Sequence, residues 1–256
     1  MREEPKSRTS ADKISTFLVL AATGGMIAFN TLASTGFING VLTSDVSDRY
    51  PTVITPAGWA FTIWLVIYVG LAGFSVYQLL PAKLEQFRSV RTLYLVTCVL
   101  NCLWLWLWHS YQIAGSLVVM VGLWAVLLMI NVRFREAGTF PDALFGKGVF
   151  GIYFGWVTAA ALVNVVILMV AMEFALSAAV WNALGAVLLL VAAAAAVLVR
   201  MRLKSYLFPL AIAWAATGIG VAQSGNTAIV VASAACLVVG LVMAVSFVMD
   251  KKGSLE

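Results

Sequence analysis

Aromatic and amide side chains recur at helical spacing in three segments of this 256-residue chain. Residues that are three, four, seven or eleven positions apart share one face of an α-helix. The three faces formed in this way contain Trp64 and Tyr68, then Asn101, Trp104 and Trp108, and then Tyr153, Trp156 and Asn164. Rings can stack, and amides can donate and accept hydrogen bonds. The chemistry available to these faces is therefore contact with a ligand or contact between helices.

The asparagines indicate that two of these faces turn towards the protein interior. Each asparagine lies within a long apolar segment, where an unpaired amide costs about 1–3 kcal/mol. Asn101 and Asn164 should therefore be buried together with their aromatic neighbours. Two roles stay open for both of them: a hydrogen bond between helices, or a contact with a ligand. Trp59, Trp106 and Trp181 are interpreted as interfacial or lipid-facing rings.

Residues that most enzymes and ion-coupled transporters need are absent from the middle of the apolar segments. No Asp, Glu, Lys or Arg occupies the middle third of any of them. The one histidine, His109, has no accompanying metal ligands, and no paired CxxC or HExxH motif occurs. Proton relays and coupling-ion sites normally use charges within the membrane. These absences disfavour an ion-driven transporter and an enzyme.

Membrane-spanning helices must position these side chains. Hydrophobic residues make up 62% of the chain and charged residues 11%, against about 25% charge in an ordinary soluble domain. A helix of about 20 apolar residues crosses the ~30 Å hydrocarbon core and satisfies its own backbone there. We therefore predict an all-α polytopic membrane helix bundle with about eight transmembrane helices. The predicted spans are residues 15–40, 57–80, 91–112, 115–132, 148–171, 175–199, 206–222 and 226–249.

The basic residues predict the orientation of this bundle. With these spans and a cytoplasmic N-terminus, only Arg49 of the 16 Lys and Arg residues falls in an outer loop. Lys and Arg in short loops stay on the cytoplasmic side. We therefore expect an integral protein of a bacterial plasma membrane with both termini in the cytoplasm. The net charge of +5 follows from this asymmetry, so the expected partners are membrane lipids and not nucleic acid.

Four motifs occur in order along spans two to five. They read Pro56 with Trp64 and Tyr68, Leu100-Asn-Cys-Leu-Trp104 with Trp108, Trp124 with Val132-Arg-Phe-Arg135, and Tyr153-Phe-Gly-Trp156-Val-Thr with Asn164. In these motifs the chain resembles, over about residues 15–172, the tryptophan-rich sensory protein family, also called the translocator protein or TspO family.

The resemblance implies a five-helix core in which residues 43–56 form an outer lid over a hydrophobic pocket between helices two, three and five. It implies binding of porphyrins, and in some members of sterols or isoquinoline-type drugs. No cofactor follows with certainty from the sequence, and the bound groups that the resemblance allows are a tetrapyrrole, either a porphyrin or haem, and a lipid. A flat conjugated ligand suits such a cage, because rings stack on its faces while amides fix its edge. The ligand-binding residues implied are Pro56, Trp64, Tyr68, Asn101, Trp104, Trp108, Trp124, Tyr153, Trp156 and Asn164.

The expected domain organisation adds three helices to this core. Residues 1–14 are predicted to be a disordered cytoplasmic segment, 15–172 the five-helix core, 173–250 three additional transmembrane helices, and 251–256 a tail resembling a cloning remnant. The patterns Gly36-Phe-Ile-Asn-Gly40 and Gly151-Ile-Tyr-Phe-Gly155 permit close helix contact. Internal packing is favoured for them, and a homodimer stays open.

Three functional hypotheses follow, of which the first is favoured. It describes a membrane-embedded binding or sensory protein for a planar hydrophobic small molecule, with a porphyrin-type tetrapyrrole as the preferred ligand. The alternative is a carrier of a lipophilic metabolite, which would work by moving spans six to eight against the first five. The third hypothesis is a membrane enzyme acting on a tetrapyrrole. It is disfavoured because the spans lack acid–base residues.

Overall fold

The computed structural model describes residues 10–136 and 139–246, and this part of the chain contains helices and no strand. The long helices follow the apolar segments, because a helix satisfies its own backbone groups where lipid offers no partner. The elements are α1 (Ser10–Ala33), α2 (Thr43–Arg49), a 3-10 helix (Gly58–Thr62), α3 (Ile63–Tyr77), α4 (Lys83–Gln86), α5 (Arg88–His109), α6 (Ile113–Arg133), α7 (Phe140–Asp142), a π-helical segment (Ala143–Gly148), α8 (Val149–Ala171), α9 (Ala178–Leu203), α10 (Leu207–Ala222) and α11 (Thr227–Val245).

Seven helical segments of the described chain are long and apolar enough to cross a membrane, and α10 is a shorter apolar helix. The 16 residues of α10 extend for about 24 Å, which is less than the ~30 Å hydrocarbon core. Seven spanning helices and one shorter helix confirm the predicted all-helical polytopic bundle. The orientation of the termini stays a prediction, and residues 251–256 lie outside the described residues.

Five of the long helices form a closed ring. α1 packs against α3 and α5, α6 lies between α5 and α8, and α8 contacts α3. α10 packs on α8, and both α9 and α11 pack on α10. The last three helices therefore form a second layer on the α8 side of the ring. We call the end of the bundle where residues 43–57 lie the lid end.

The first helix begins and ends earlier than its predicted span. It begins at Ser10 instead of residue 15, so part of the segment expected to be disordered is helical, and residues 1–9 lie outside the described chain. It ends at Ala33 instead of residue 40, and Gly36 and Gly40 follow with φ of 78° and 68°. These left-handed conformations, which suit glycine, turn the chain towards the lid. Gly36 and Gly40 are therefore turn residues and not a helix-packing motif.

The second glycine pattern does serve internal packing. Gly155 of α8 lies against α10, where a Cβ atom would be 2.6 Å from the Phe208 carbonyl oxygen and 2.8 Å from the Ala211 Cβ. Only a residue without a side chain allows the two backbones to approach this closely. The position of α10 on α8 therefore depends on glycine at residue 155.

A buried carboxylate joins three elements at the end opposite the lid. Asp142 lies 2.7 Å from the Lys83 amine, and it accepts hydrogen bonds from Tyr77 at 2.9 Å and Thr139 at 2.8 Å. A second ion pair joins Asp12 in the first turn of α1 to Arg88 at 2.7 Å. The first pair connects α7 to α4, and the second connects α1 to α5.

Replacing Asp142 with asparagine should lower stability. The change leaves the Lys83 amine without its partner carboxylate, and losing one member of a buried pair is destabilising, here by about 2 kcal/mol because Lys83 reaches water. The midpoint of thermal unfolding in detergent should fall by several degrees. The matched control is Glu136→Gln, because that side chain is 73% exposed and its ion pairs should contribute little. Equal unfolding midpoints for the Asp142 and Glu136 variants would contradict the stabilising role given to the pair of Asp142 and Lys83.

Candidate functional site

The segment between α1 and α3 folds as a lid, defined here as residues 43–57. It contains the short helix α2, whose Val46 and Ser47 are buried, and an extended segment that leads into the 3-10 helix. The Trp108 indole donates a hydrogen bond to the Thr43 carbonyl oxygen at 3.1 Å. The ring of His109, which is fully buried, lies 3.4 Å from the Thr43 hydroxyl. The end of α5 therefore holds the start of the lid in place.

A cavity of about 40 Å³, called the main cavity below, lies beneath this lid. Its walls differ in kind: rings from α3, α5, α8 and the 3-10 helix form one part, and small aliphatic side chains from α8 and α10 form the other. The lining residues are Thr43, Ser47, Pro56, Phe61, Trp64, Trp104, Trp108, Trp156, Ala159, Ala160, Val163, Asn164, Ile167, Ala215 and Ile219.

The aromatic wall is a column of nearly parallel rings. Trp64 stacks on Tyr68 with centroids 5.4 Å apart and planes 19° apart, and on Trp104 at 6.2 Å and 28°. Trp104 in turn stacks on Trp108 at 5.9 Å and 24°. Trp156 meets Trp64 edge to face at 6.4 Å. The helical spacing predicted the pairs within one helix, Trp64 with Tyr68 and Trp104 with Trp108, whereas the stacking of Trp64 on Trp104 depends on how α3 and α5 meet.

Three buried polar atoms at the main cavity have no hydrogen-bond partner. They are the indole nitrogens of Trp104 and Trp156 and the side-chain oxygen of Asn164, whose amide nitrogen donates to the Ala160 carbonyl. Each unpaired buried group costs about 1–3 kcal/mol. A cavity of this volume can hold about three water molecules, which would supply the missing partners. The polar edge of a ligand with two acceptors and one donor would supply the same partners.

A second cavity of about 300 Å³ lies on the other side of the aromatic wall. Asn30, Tyr68 and Leu105 line it, and it shares Phe61, Trp64 and Trp104 with the main cavity. Its lining includes the exposed Ser34, Leu42 and Gly58, so it opens at the protein surface. The shared rings are therefore the partition between a small enclosed space and a larger open one.

A chain of hydrogen bonds supports the aromatic wall from behind. The Tyr68 hydroxyl donates to the Asn30 side-chain oxygen at 2.6 Å, and the Asn30 amide donates to the Asn101 oxygen at 2.8 Å. The Asn101 amide then donates to the Tyr153 hydroxyl at 3.2 Å. This chain links α3, α1, α5 and α8 in turn. Asn101 therefore connects helices, whereas Asn164, which lines the main cavity, makes no side-chain hydrogen bond to another helix and leaves its oxygen unpaired.

The structure brings most of the predicted residues together. Those that line the main cavity are Pro56, Trp64, Trp104, Trp108, Trp156 and Asn164. Tyr68 lines the second cavity, and Asn101 and Tyr153 lie behind the wall. Trp124 lines neither cavity, because its indole donates to the Thr158 hydroxyl at 3.0 Å and its ring packs on Phe154.

Sequence reasoning missed several residues of this site. Asn30 is a polar residue within an apolar span, so the argument applied to Asn101 and Asn164 could have found it. Phe61 lies in the aromatic segment just before Trp64, but its contact with Trp156, at a centroid distance of 5.8 Å, depends on the fold. The aliphatic lining from α10 carries no sequence signal, because alanine and isoleucine are common in every span.

Comparison with known proteins gives one family match. The model of a family described as TSPO-like protein matches residues 16–247. The match runs beyond residue 172 and covers the last three helices as well as the first five. No curated protein and no solved structure matches the chain.

Proposed function

We propose, because the chain belongs to the TSPO-like protein family, that it is a membrane-embedded binding or sensory protein for a planar hydrophobic ligand. The family points to a ligand-binding or sensory role in a membrane. The proposed ligand class is a porphyrin-type tetrapyrrole, held between the aromatic wall and the aliphatic wall of the main cavity. Such a molecule offers a wide conjugated face for stacking and polar groups at its edge.

The observation that carries this proposal is the set of unpaired polar atoms beside the column of rings. Buried polar groups are normally hydrogen-bonded, and three of the seven buried side-chain atoms without a partner in the described part of the chain belong to residues that line this one cavity. Here the Trp104 and Trp156 indoles can donate to acceptors on a ligand, and the Asn164 oxygen can accept from a donor. The rings supply affinity through stacking, and the three polar atoms fix the orientation of the ligand.

A ligand as large as a porphyrin requires the partition between the two cavities to move. The main cavity measures about 40 Å³, whereas binding sites for small molecules measure about 300–1,000 Å³. Rotation of Trp64 and Phe61 would join the main cavity to the second cavity of about 300 Å³. Trp64 is only partly buried, so its ring can turn towards the open side when its stacking on Tyr68 and Trp104 is broken. We propose that the ligand reaches the main cavity by this route.

The packing of α10 favours a binding protein over a carrier. The carrier hypothesis requires the last three helices to move against the first five. α10 lies against α8 at Gly155, where sliding would bring side chains into the Phe208 backbone. Its Gly218 carbonyl also accepts a hydrogen bond from the Ala57 backbone amide at 3.0 Å. Large movement of this layer would break both contacts.

Titration with protoporphyrin IX tests the proposed function. The purified protein in detergent should shift the Soret absorbance of protoporphyrin IX and bind it saturably at micromolar concentrations. Trp104→Phe and Trp156→Phe keep an aromatic ring at the position but replace the indole with a smaller phenyl group that has no N–H donor, so each should weaken binding about tenfold. The matched control is Trp106→Phe, because Trp106 is 52% exposed on the outer face of α5 and should bind like the wild type.

The Soret absorbance of the ligand is a better readout than tryptophan fluorescence, because the substitutions remove tryptophans and so change the fluorescence themselves. Absence of saturable binding by the wild type would refute the proposed ligand class. Equal affinities for the Trp106, Trp104 and Trp156 variants would refute the proposed site.

A further inference from the structure

Two residues of α10 line the main cavity although α10 lies outside the five-helix ring. Ala215 and Ile219 are four positions apart and face the cavity from the side opposite the aromatic wall. Both are almost completely buried. The cavity is therefore incomplete without the second layer of helices.

α10 is held in a fixed position on α8. The backbones approach so closely at Gly155 that a Cβ atom there would lie 2.6 Å from the Phe208 oxygen. Gly240 of α11 makes a similar approach from the other side, where a Cβ atom would lie 2.8 Å from the Pro209 oxygen. Close-packed backbones leave little freedom for a helix to retreat. A ligand therefore cannot gain space by displacing α10.

The lid holds the other end of α10. Besides the bond from Ala57 to Gly218, the Trp214 indole donates to the Ala60 carbonyl at 2.8 Å, and the Gln223 amide donates to the Thr52 carbonyl at 3.1 Å. The Trp214 ring also meets Trp59 edge to face, with centroids 5.0 Å apart. These contacts fasten the lid, and the 3-10 helix that follows it, to α10 and to Gln223 just after it.

Gly218 makes this attachment possible. A Cβ atom at this position would lie 2.7 Å from the Ala60 Cβ and 3.2 Å from the Pro56 Cβ. The absence of a side chain therefore lets the end of the lid rest directly on α10. Ile219, the next residue along the helix, is positioned at the cavity by the same contact.

We propose that Ala215 and Ile219 are specificity-determining residues that limit the size of ligand the main cavity accepts. The proposal rests on the proposed function. The aromatic partition can move towards open space, whereas the α10 side is fixed by backbone contacts. The limit on ligand size is therefore set at Ala215 and Ile219. Behind them lies a cavity of about 20 Å³, which these two residues separate from the main cavity together with Ala159 and Val163.

Affinity for protoporphyrin IX in variants of α10 tests the proposal. Ala215→Leu adds volume at the fixed wall and should weaken binding about tenfold, since single methylene groups in a tight pocket already change affinity by this order. Ile219→Ala removes volume and joins the main cavity to the space behind it, so it should strengthen binding about threefold. The matched control is Ala222→Leu, because Ala222 is exposed on the same helix and lines neither cavity.

The outcomes separate the two proposals. Opposite shifts for the Ala215 and Ile219 variants, with the Ala222 variant equal to the wild type, support the inference. If the wild type binds and the three variants bind equally, the inference is wrong while the proposed function stands. If the wild type does not bind protoporphyrin IX, both fail together. Should Ala215→Leu not fold, the direction of the Ile219→Ala shift decides, because a weakened or unchanged affinity there overturns the inference.

Discussion

Replacing Asn164 with leucine should remove most of the affinity for the ligand without lowering the stability of the protein. The same replacement at Asn101 should instead lower the stability. The Asn164 oxygen has no partner, and its amide bonds only to the carbonyl of Ala160 on its own helix. Leucine therefore removes a buried unpaired group and fills similar volume, which is neutral or stabilising. The same change removes the one proposed acceptor for a ligand, so the affinity for protoporphyrin IX should fall at least about tenfold.

Asn101 accepts from Asn30 and donates to Tyr153 within the membrane. Leucine there removes both interhelical bonds: the Tyr153 hydroxyl loses its donor, and the Asn30 amide keeps only its bond to the Met26 carbonyl of its own helix. This should destabilise the protein by about 1–3 kcal/mol, because interhelical bonds contribute ~0.6–2 kcal/mol each. Thermal unfolding in detergent measures the stability effect, and Soret titration measures the affinity effect. Each asparagine variant serves as the control for the other. A large loss of stability in Asn164→Leu, or none in Asn101→Leu, would contradict the different roles assigned to them.

Gly155→Leu should have the largest effect on folding. A leucine side chain cannot fit where even a Cβ atom would lie 2.6 Å from a backbone oxygen and 2.8 Å from the Ala211 Cβ. Backbone atoms cannot yield as a flexible side chain can, so α10 must move away from α8. Overpacking a core usually costs up to about 3 kcal/mol. We expect the loss of stability in this variant to exceed that value and little folded protein to remain after purification.

The matched control is Gly25→Leu in α1. No atom lies within 4 Å of the corresponding Cβ position, and the residue is exposed. Leucine favours a helix more than glycine does, so this variant should fold as well as the wild type or better. The monodisperse peak in size-exclusion chromatography and the unfolding midpoint measure both variants. Normal yield and stability of Gly155→Leu would show that the close approach of α8 and α10 is not required.

The composition and spacing of the chain predicted the membrane bundle and the aromatic faces. Long apolar segments with few charges can only be helices in lipid, and the structure confirms these helices, with boundaries that differ mainly in the first span. The family resemblance, found from four motifs, is confirmed by a match over residues 16–247. Both results rest on local information, because hydropathy and helical period need no knowledge of which helices are neighbours.

The roles of individual polar and glycine residues could not be predicted in the same way. Asn101 and Asn164 look alike in sequence, and only the position of Asn30 on another helix separates a connecting residue from an unpaired one. Gly36 and Gly151 begin the same five-residue pattern, yet one follows the end of a helix and the other lies within a helix contact. Trp124 matched a motif and lies away from the cavities because Thr158 of α8 binds its indole.

The sequence by itself determined which segments form long apolar helices and which side chains share a helical face, because both follow from the chemistry of consecutive residues. Only the tertiary structure decided which faces meet. It placed Ala215 and Ile219 at a cavity formed by distant helices, and it fastened the lid to α10 through Gly218. Such contacts depend on the relative positions of whole helices, and close packing of small residues without a distinctive pattern fixes those positions.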